Sequence, residues 1–218
     1  MSMKKTRMSA SVRRKAILEK VAPLFARFGP DSITTRQLAE TAEISEALLF
    51  RHFSNKQTLY TAATRHQIEE NRPDDLTPGD TPPSTHRLVV TTCRLAQYLT
   101  SSSAEDIVRQ TCRSLLTGDN QTKNYLAPFA SRLIPSLKAD LAAARSSGDC
   151  ISGEVFDVEL WLAQHLLFSL HLFTLPESPP IEYNCPRFEL LKRTIAFALR
   201  GLGLKQSAID REFAREVL

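Results

Sequence analysis

Glycine is scarce in this chain, 7 residues in 218, and no segment alternates polar and apolar residues for long enough to make a strand. A sheet is therefore not expected, and helical periodicity carries the organisation instead. The four cysteines, Cys93, Cys112, Cys150 and Cys185, are scattered without a CxxC pair or a Cys/His cluster. That spacing gives neither a zinc site nor a disulfide framework, and it fits free thiols in a reducing compartment. The basic N-terminus, MSMKKTRMSASVRRK, has no apolar stretch behind it and is not expected to be a signal peptide. Long hydrophobic runs are lacking too. The greasiest window, residues 155–175, is interrupted by Asp157, Glu159, Gln164, His165 and His171. No membrane partner is expected from it, and a cytoplasmic location is. Nucleophile–base motifs, metal-ligand spacings and glycine-rich phosphate loops are absent as well. The expectation is a protein that is not an enzyme and uses no metal or cofactor.

What is present begins with uneven charge. Residues 1–72 hold 13 Lys/Arg against 7 Asp/Glu, whereas residues 73–218 hold 15 against 17. The positive first third suits a polyanionic partner. A solvated basic face is the alternative. The pattern predicts an all-α fold. Residues 9–28 place Ile17, Val21, Leu24, Phe25 and Phe28 on one stripe, with Pro23 inside and Gly29 where a left-handed cap is wanted. Thr34 and Gln37 form a T-x-x-Q capping box, Ser45 is the next N-cap, and Ser54 with Gln57 forms a further box. Two short helices, 34–41 and 45–51, and a longer one ending near 70 follow from these starts. Residues 71–85 are rich in proline and acid and read as a linker. Further helices are predicted over 85–100, 103–116, 120–146 (carrying Pro128 and Pro135), 154–175, 188–199 and 207–217. The division expected is an N-terminal domain over 1–70, a linker over 71–84 and a C-terminal domain over 85–218.

The two short helices joined by a tight turn read as a helix–turn–helix. In such readers the second helix enters the major groove of double-stranded DNA with its N-terminal residues toward base edges. Here that helix begins Ser45-Glu46-Ala47, and the small Ala47 allows close approach. Leu38, Ala39, Ile44 and Leu48 have the spacing to pack the pair. Thr35, Arg36, Ser45, Glu46, Phe50, Arg51, His52 and Lys56 lie outside that seam. They are hydroxyls, charged groups and rings of the kind that hold phosphates and reach bases. Lys4, Lys5, Arg7, Arg13 and Arg14 form a basic N-terminal arm that could add phosphate or minor-groove contacts.

Thr34-Thr35-Arg36-x-x-Ala39, Ala42-Glu43-Ile44-Ser45, Leu49-Phe50-Arg51-His52-Phe53 and Lys56-x-x-Leu59 resemble the N-terminal domain of the TetR family of transcriptional regulators, over about residues 12–62. The resemblance implies an N-terminal three-helix domain and a C-terminal helical bundle for ligand binding and dimerisation. It implies that Thr35, Arg36, His52 and Lys56 grip phosphates while Ser45, Glu46 and Ala47 face bases. Glu46 either accepts from a cytosine amine or discourages non-specific phosphate binding. The chain departs from the family twice. Glu43 stands where a turn glycine is usual, and holding it there costs about 1 kcal/mol. Phe50 stands where a tyrosine is usual, which removes one phosphate hydrogen bond.

For the C-terminal half the resemblance implies a homodimer through the last two long helices, and Leu162, Leu166, Leu190, Leu191, Thr194, Ile195 and Ala198 are the candidates. It also implies an effector cavity, mostly apolar with a few polar anchors. The candidates there are Tyr98, Arg109, Cys112, Phe129, Trp161, His165 and Phe168, of which Trp161, His165 and Phe168 share one helical stripe. Each fits an ordinary core or dimer position equally well, and Arg109 meets either an acidic effector or Glu105. The effector expected is lipophilic or aromatic. The function implied is a repressor released from a near-palindromic operator by that effector. A ligand-dependent activator or co-repressed regulator is the alternative within the class, and a helical enzyme or non-DNA interaction module is the alternative outside it.

Overall fold

Ser9 opens the first helix by accepting the Val12 backbone N–H, and Gly29 closes it at φ 78 with its own N–H on the Phe25 carbonyl. In this computed structural model, which describes residues 9–71, 76, 81–151, 153 and 157–215, every element is a helix apart from one isolated bridge. The order is α1 (Ala10–Phe28), α2 (Thr35–Thr41), α3 (Glu46–His52), α4 (Lys56–Asn71), α5 (Thr85–Leu99), α6 (Ser102–Thr117), α7 (Gln121–Ser146), α8 (Asp157–Thr174), α9 (Arg187–Gly201) and α10 (Gln206–Phe213). Arg13 and Arg14 belong to α1 rather than to an arm, while Lys4, Lys5 and Arg7 lie outside the described residues. No helix among the described residues is long and apolar enough to cross a membrane.

Two compact units divide the chain: Met1–Arg72 with Arg109–Tyr125, and Pro73–Val108 with Leu126–Leu218. The first takes in a stretch that the sequence assigns to the C-terminal domain. Its core is formed by Ile17, Val21 and Phe25 of α1, Leu38 of α2, Leu49 of α3 and Leu59 and Tyr60 of α4. The Phe25 and Tyr60 rings meet edge to face at 5.2 Å, a geometry that adds to simple burial. Two expectations about which residues are buried are corrected. Phe28 is half-exposed beneath the Arg27 guanidinium, because the α1 stripe drifts off the core face in the last turn. Leu49, not Leu48, is the deep residue of α3. The α4 cap also differs. Asn55, not Ser54, accepts the Thr58 N–H at 2.7 Å, so the helix starts one residue later than the predicted box.

Residues 109–125 complete this unit through side chains. Arg113 donates to the carbonyls of Phe25 and Ala26 at 2.8 and 3.3 Å, placing a cation on the C-terminal carbonyls of α1. A side chain on Gly29 would stand 2.8 Å from the Arg113 Nε, so this glycine serves both the positive φ and the close approach. Gln110 donates to Gln67 at 2.7 Å and Gln121 donates to Thr61 at 2.9 Å, both partners lying on α4.

The second unit packs Leu88, Cys93, Ala96 and Leu99 of α5 against Leu137 and Leu141 of α7, Leu160 and Leu167 of α8, and Ile195 and Leu199 of α9. Ion pairs tie its ends. Asp149 takes two hydrogen bonds from Arg211, at 3.0 and 2.7 Å, and one from Thr85 at 2.6 Å. The Arg211 bonds are the main reason that its carboxyl is held down at about 2. Asp140, fully buried, accepts from Arg87 at 2.7 Å and from the Ser84 N–H at 3.0 Å.

Candidate functional site

The helix–turn–helix is shaped by local hydrogen bonds before any packing is counted. The Thr34 hydroxyl accepts the Gln37 N–H while the Gln37 side chain accepts the Thr34 N–H, a complete capping box on α2. The turn passes through Glu43 at φ 56, the left-handed conformation the missing glycine would favour. Lys20 holds the Glu43 carboxylate at 2.9 Å, and the Ile44 N–H closes the turn on the Ala39 carbonyl at 3.0 Å. Ser45 then caps α3 by accepting the Leu48 N–H at 3.2 Å.

None of the nine residues assigned to DNA is buried. Arg36, Ser45, Glu46, Ala47, Phe50 and Arg51 are exposed, and Thr35, His52 and Lys56 are half-buried. Two pairs are tied to one another. The Thr35 hydroxyl donates to Glu46 at 2.7 Å, which joins the first residue of α2 to the first of α3. Arg36 donates to Glu40 at 2.9 Å, one turn along its own helix. Glu46 is therefore a structural link between α2 and α3. Arg14, read from the sequence as part of a DNA-contacting arm, and two residues that the sequence reading passed over, Asn55 and Arg113, hold this unit together behind the surface. Arg14 bonds the His52 carbonyl and lies 4.0 Å over the Phe53 ring, which fixes the end of α3. Asn55 aims the first turn of α4, where Lys56 sits. Arg113 closes α1. A local signal exists only for Asn55, as an Asn three residues before Thr58.

A second candidate site is a cleft in the other unit. Its walls include Thr92 and Leu95 of α5, Phe129 and Leu133 of α7, and Trp161 and Gln164 of α8. The wall from α7 is a single stripe, Leu126, Phe129, Ala130, Leu133, Ile134 and Leu137, that the periodicity of the sequence contains. The cleft is narrow, about 40 Å³ to the centres of water-sized molecules, room for a few waters only. Of the seven pocket candidates, Phe129 and Trp161 line it. Tyr98 packs on the neighbouring core instead. Arg109 and Cys112 fall in the first unit. His165 is exposed, its ring stacked on Trp161 at 6.2 Å, and Phe168 is half-buried away from the walls. The stripe through Trp161, His165 and Phe168 is thus split, because α8 turns only its Trp161 and Gln164 side to the cleft.

The dimer candidates separate in the same way. Ile195 and Ala198 are 0% and 3% exposed in a single chain, and Leu191 packs against that chain's own core. Leu162 is exposed, and Leu166, Leu190 and Thr194 are half-buried. The apolar surface that remains open runs through Val158, Leu162 and Leu172 on α8 and Phe197, 63% exposed, on α9. Phe197 shares the outer side of α9 with Leu190 and Thr194, at i, i+4 and i+7.

Residues 17–63 match the profile of the family described as bacterial regulatory proteins, tetR family. Over 55 residues the chain is 42% identical to the HTH-type transcriptional repressor AcnR of Corynebacterium diphtheriae, a stretch that is 25% of this chain and 29% of that protein. It is 37% identical over 67 residues to the uncharacterised HTH-type transcriptional regulator YvkB of Bacillus subtilis, 30% of this chain and 35% of that one. The chain therefore spans about a third of the length of the curated relatives it matches. Solved structures extend the likeness in fold. A tetR-family transcriptional regulator from Streptomyces coelicolor superposes with a TM-score of 0.65 at 17% identity, over 95% of this chain and 90% of that one. AibR, solved with isovaleryl coenzyme A and operator DNA, superposes with a TM-score of 0.63 at 16% identity, over 85% of this chain and 97% of its own. These relatives are transcriptional regulators, not enzymes.

Proposed function

The chain belongs, through its N-terminal domain, to the TetR family of bacterial regulatory proteins, and from that premise we propose that it is a dimeric, cytoplasmic repressor released from a near-palindromic operator by a small-molecule effector. The observation that carries this reading is the open N-terminal end of α3. Ser45, Glu46 and Ala47 are exposed there on a helix capped and braced from its other side. Ser45, Glu46 and Ala47 face base edges in the major groove, and Thr35, Arg36, Phe50, Arg51, His52 and Lys56 hold the flanking backbone. The apolar outer sides of α8 and α9 support a homodimer, since a two-fold axis buries one such surface against its own copy. The two recognition helices then read two half-sites.

The apolar cleft is the effector site in this reading. AibR, of the same fold, is solved with a ligand and operator DNA together, which supports pairing the two functions in one chain. Because the cleft is nearly closed, an effector enters by parting its walls. Along α7 lie Pro128 and Pro135, each lacking a backbone N–H, so this wall yields more readily than an unbroken helix. The same helix begins at Gln121, whose side chain holds Thr61 of α4. The effector lowers operator affinity by as much as it prefers the opened form.

Selection from random duplex DNA with the purified protein tests the reading. A short inverted repeat bound by two chains is expected, as is a fall in affinity of several orders of magnitude for a protein contacting 6–10 phosphates between about 50 and 200 mM salt. Enrichment of a single unrepeated site bound by one chain would contradict the dimeric arrangement, and no enrichment would contradict DNA binding by this form of the protein.

A further inference from the structure

The chemistry of the cleft narrows what can occupy it, an inference that rests on the cleft being the effector site. Among the described residues its walls carry no charged side chain of either sign, and Thr92, Gln164 and the indole N–H of Trp161 are its polar groups. The Thr92 hydroxyl is committed to the Leu88 carbonyl at 2.8 Å. The half-buried Gln164 amide makes no hydrogen bond among the described residues. An amide offers a donor and an acceptor, so it can meet a hydroxyl group in either sense, but it cannot neutralise an anion. A carboxylate or phosphate entering these walls would leave water without finding a cation, which the apolar lining does not repay. Arg109, the cation among the sequence's pocket candidates, is not one of the residues lining the cleft.

We propose that the effector is an uncharged, lipophilic, hydroxyl-bearing molecule of the phenol or alcohol class. Gln164 is the specificity-determining residue that hydrogen-bonds its hydroxyl, and Phe129 and Trp161 give flat apolar faces for its ring or chain. Ionised acids of the same skeleton are rejected.

Trp161 is the sole tryptophan of the chain and lines the cleft, so its emission reads occupancy directly. Three probes of one skeleton, 4-butylphenol, 4-butylbenzoate and butylbenzene, are titrated into the full-length protein at pH 8 and into the Gln164→Leu variant. The phenol is expected to shift Trp161 emission saturably, with the benzoate about a hundredfold weaker or more. Gln164→Leu is expected to weaken the phenol about fivefold, the scale of one net hydrogen bond, while leaving butylbenzene unchanged. Unchanged butylbenzene binding also shows that the variant is folded. A benzoate that binds as well as the phenol, or a phenol indifferent to Gln164→Leu, overturns the assigned chemistry but leaves the cleft as an effector site. No response to any of the three overturns the cleft itself, and the assigned chemistry with it.

Discussion

The working faces of the two units are made of opposite materials. On the helix–turn–helix two pairs of open polar side chains are already tethered, Thr35 to Glu46 and Arg36 to Glu40, beside the exposed Phe50. On α8 and α9 the open side chains are apolar, Val158, Leu162 and Phe197, and only the helices beneath position them. A polar face meets a charged partner whose atoms have fixed spacing. Its groups are therefore held in advance by bonds weak enough to exchange for phosphate oxygens. In the proposed dimer an apolar face would meet its own copy, where contact area and shape decide and no orienting bond is needed. The acids Glu40 and Glu46 also sit among the cations of the first face.

Replacing Phe25 by Ala should produce the largest break in this contrast. The side chain is fully buried against Tyr60, and its loss should cost about 3–5 kcal/mol. Hydrogen exchange should then show α1 to α4 opening while the second unit keeps its protection. Next is Phe197→Glu, which puts a charge on the apolar face without touching the core of its own chain. Sedimentation should show a monomer with unchanged helicity, and operator affinity should fall with the lost second half-site. If the dimer persists, its interface lies elsewhere.

Arg113→Ala should cost about 2 kcal/mol, since it strips a charged donor from the α1 carbonyls. Arg113→Lys should recover part of that, and the last-turn amides of α1 should be the ones whose exchange quickens. The smallest effect is a titration. Asp149 has its carboxyl at about 2 because of Arg211, below an unfolded value near 4. The stability it contributes is complete above that unfolded value and is lost as the pH falls from about 4 toward 2. Arg211 is partly exposed, so about 1–2 kcal/mol is expected, visible in acid unfolding and absent in Asp149→Asn.

What could be read from the chain follows the range of the interactions. The Thr34–Gln37 box, the Ser45 cap and the Glu43 turn were legible because each is settled within four residues. Asn55 was missed by one position, since Ser54 and Asn55 are both good caps and only the helix start decides between them. Arg113 was not legible, because its partners lie 86 to 88 residues away. The stripes on α8 and α9 were visible as apolar, but both helices have more than one apolar side. Which side faces the chain's own core is fixed by α5 and α7, so Ile195 and Ala198 went inward and Phe197 outward. The cleft was hidden for the same reason. Phe129 and Trp161 were found as aromatics, whereas Gln164 is a single amide with nothing local to mark it.

DNA recognition by the helix–turn–helix is the central claim, and it is tested most directly by titrating the selected duplex at two salt concentrations with the natural protein and with a His52→Ala, Lys56→Ala double variant. Neither side chain is buried in the core. The account predicts a fall in affinity of tenfold or more and a salt slope shallower by about 1 per chain, from the loss of the Lys56 charge, with folding and dimerisation intact. An unchanged affinity and slope would contradict it.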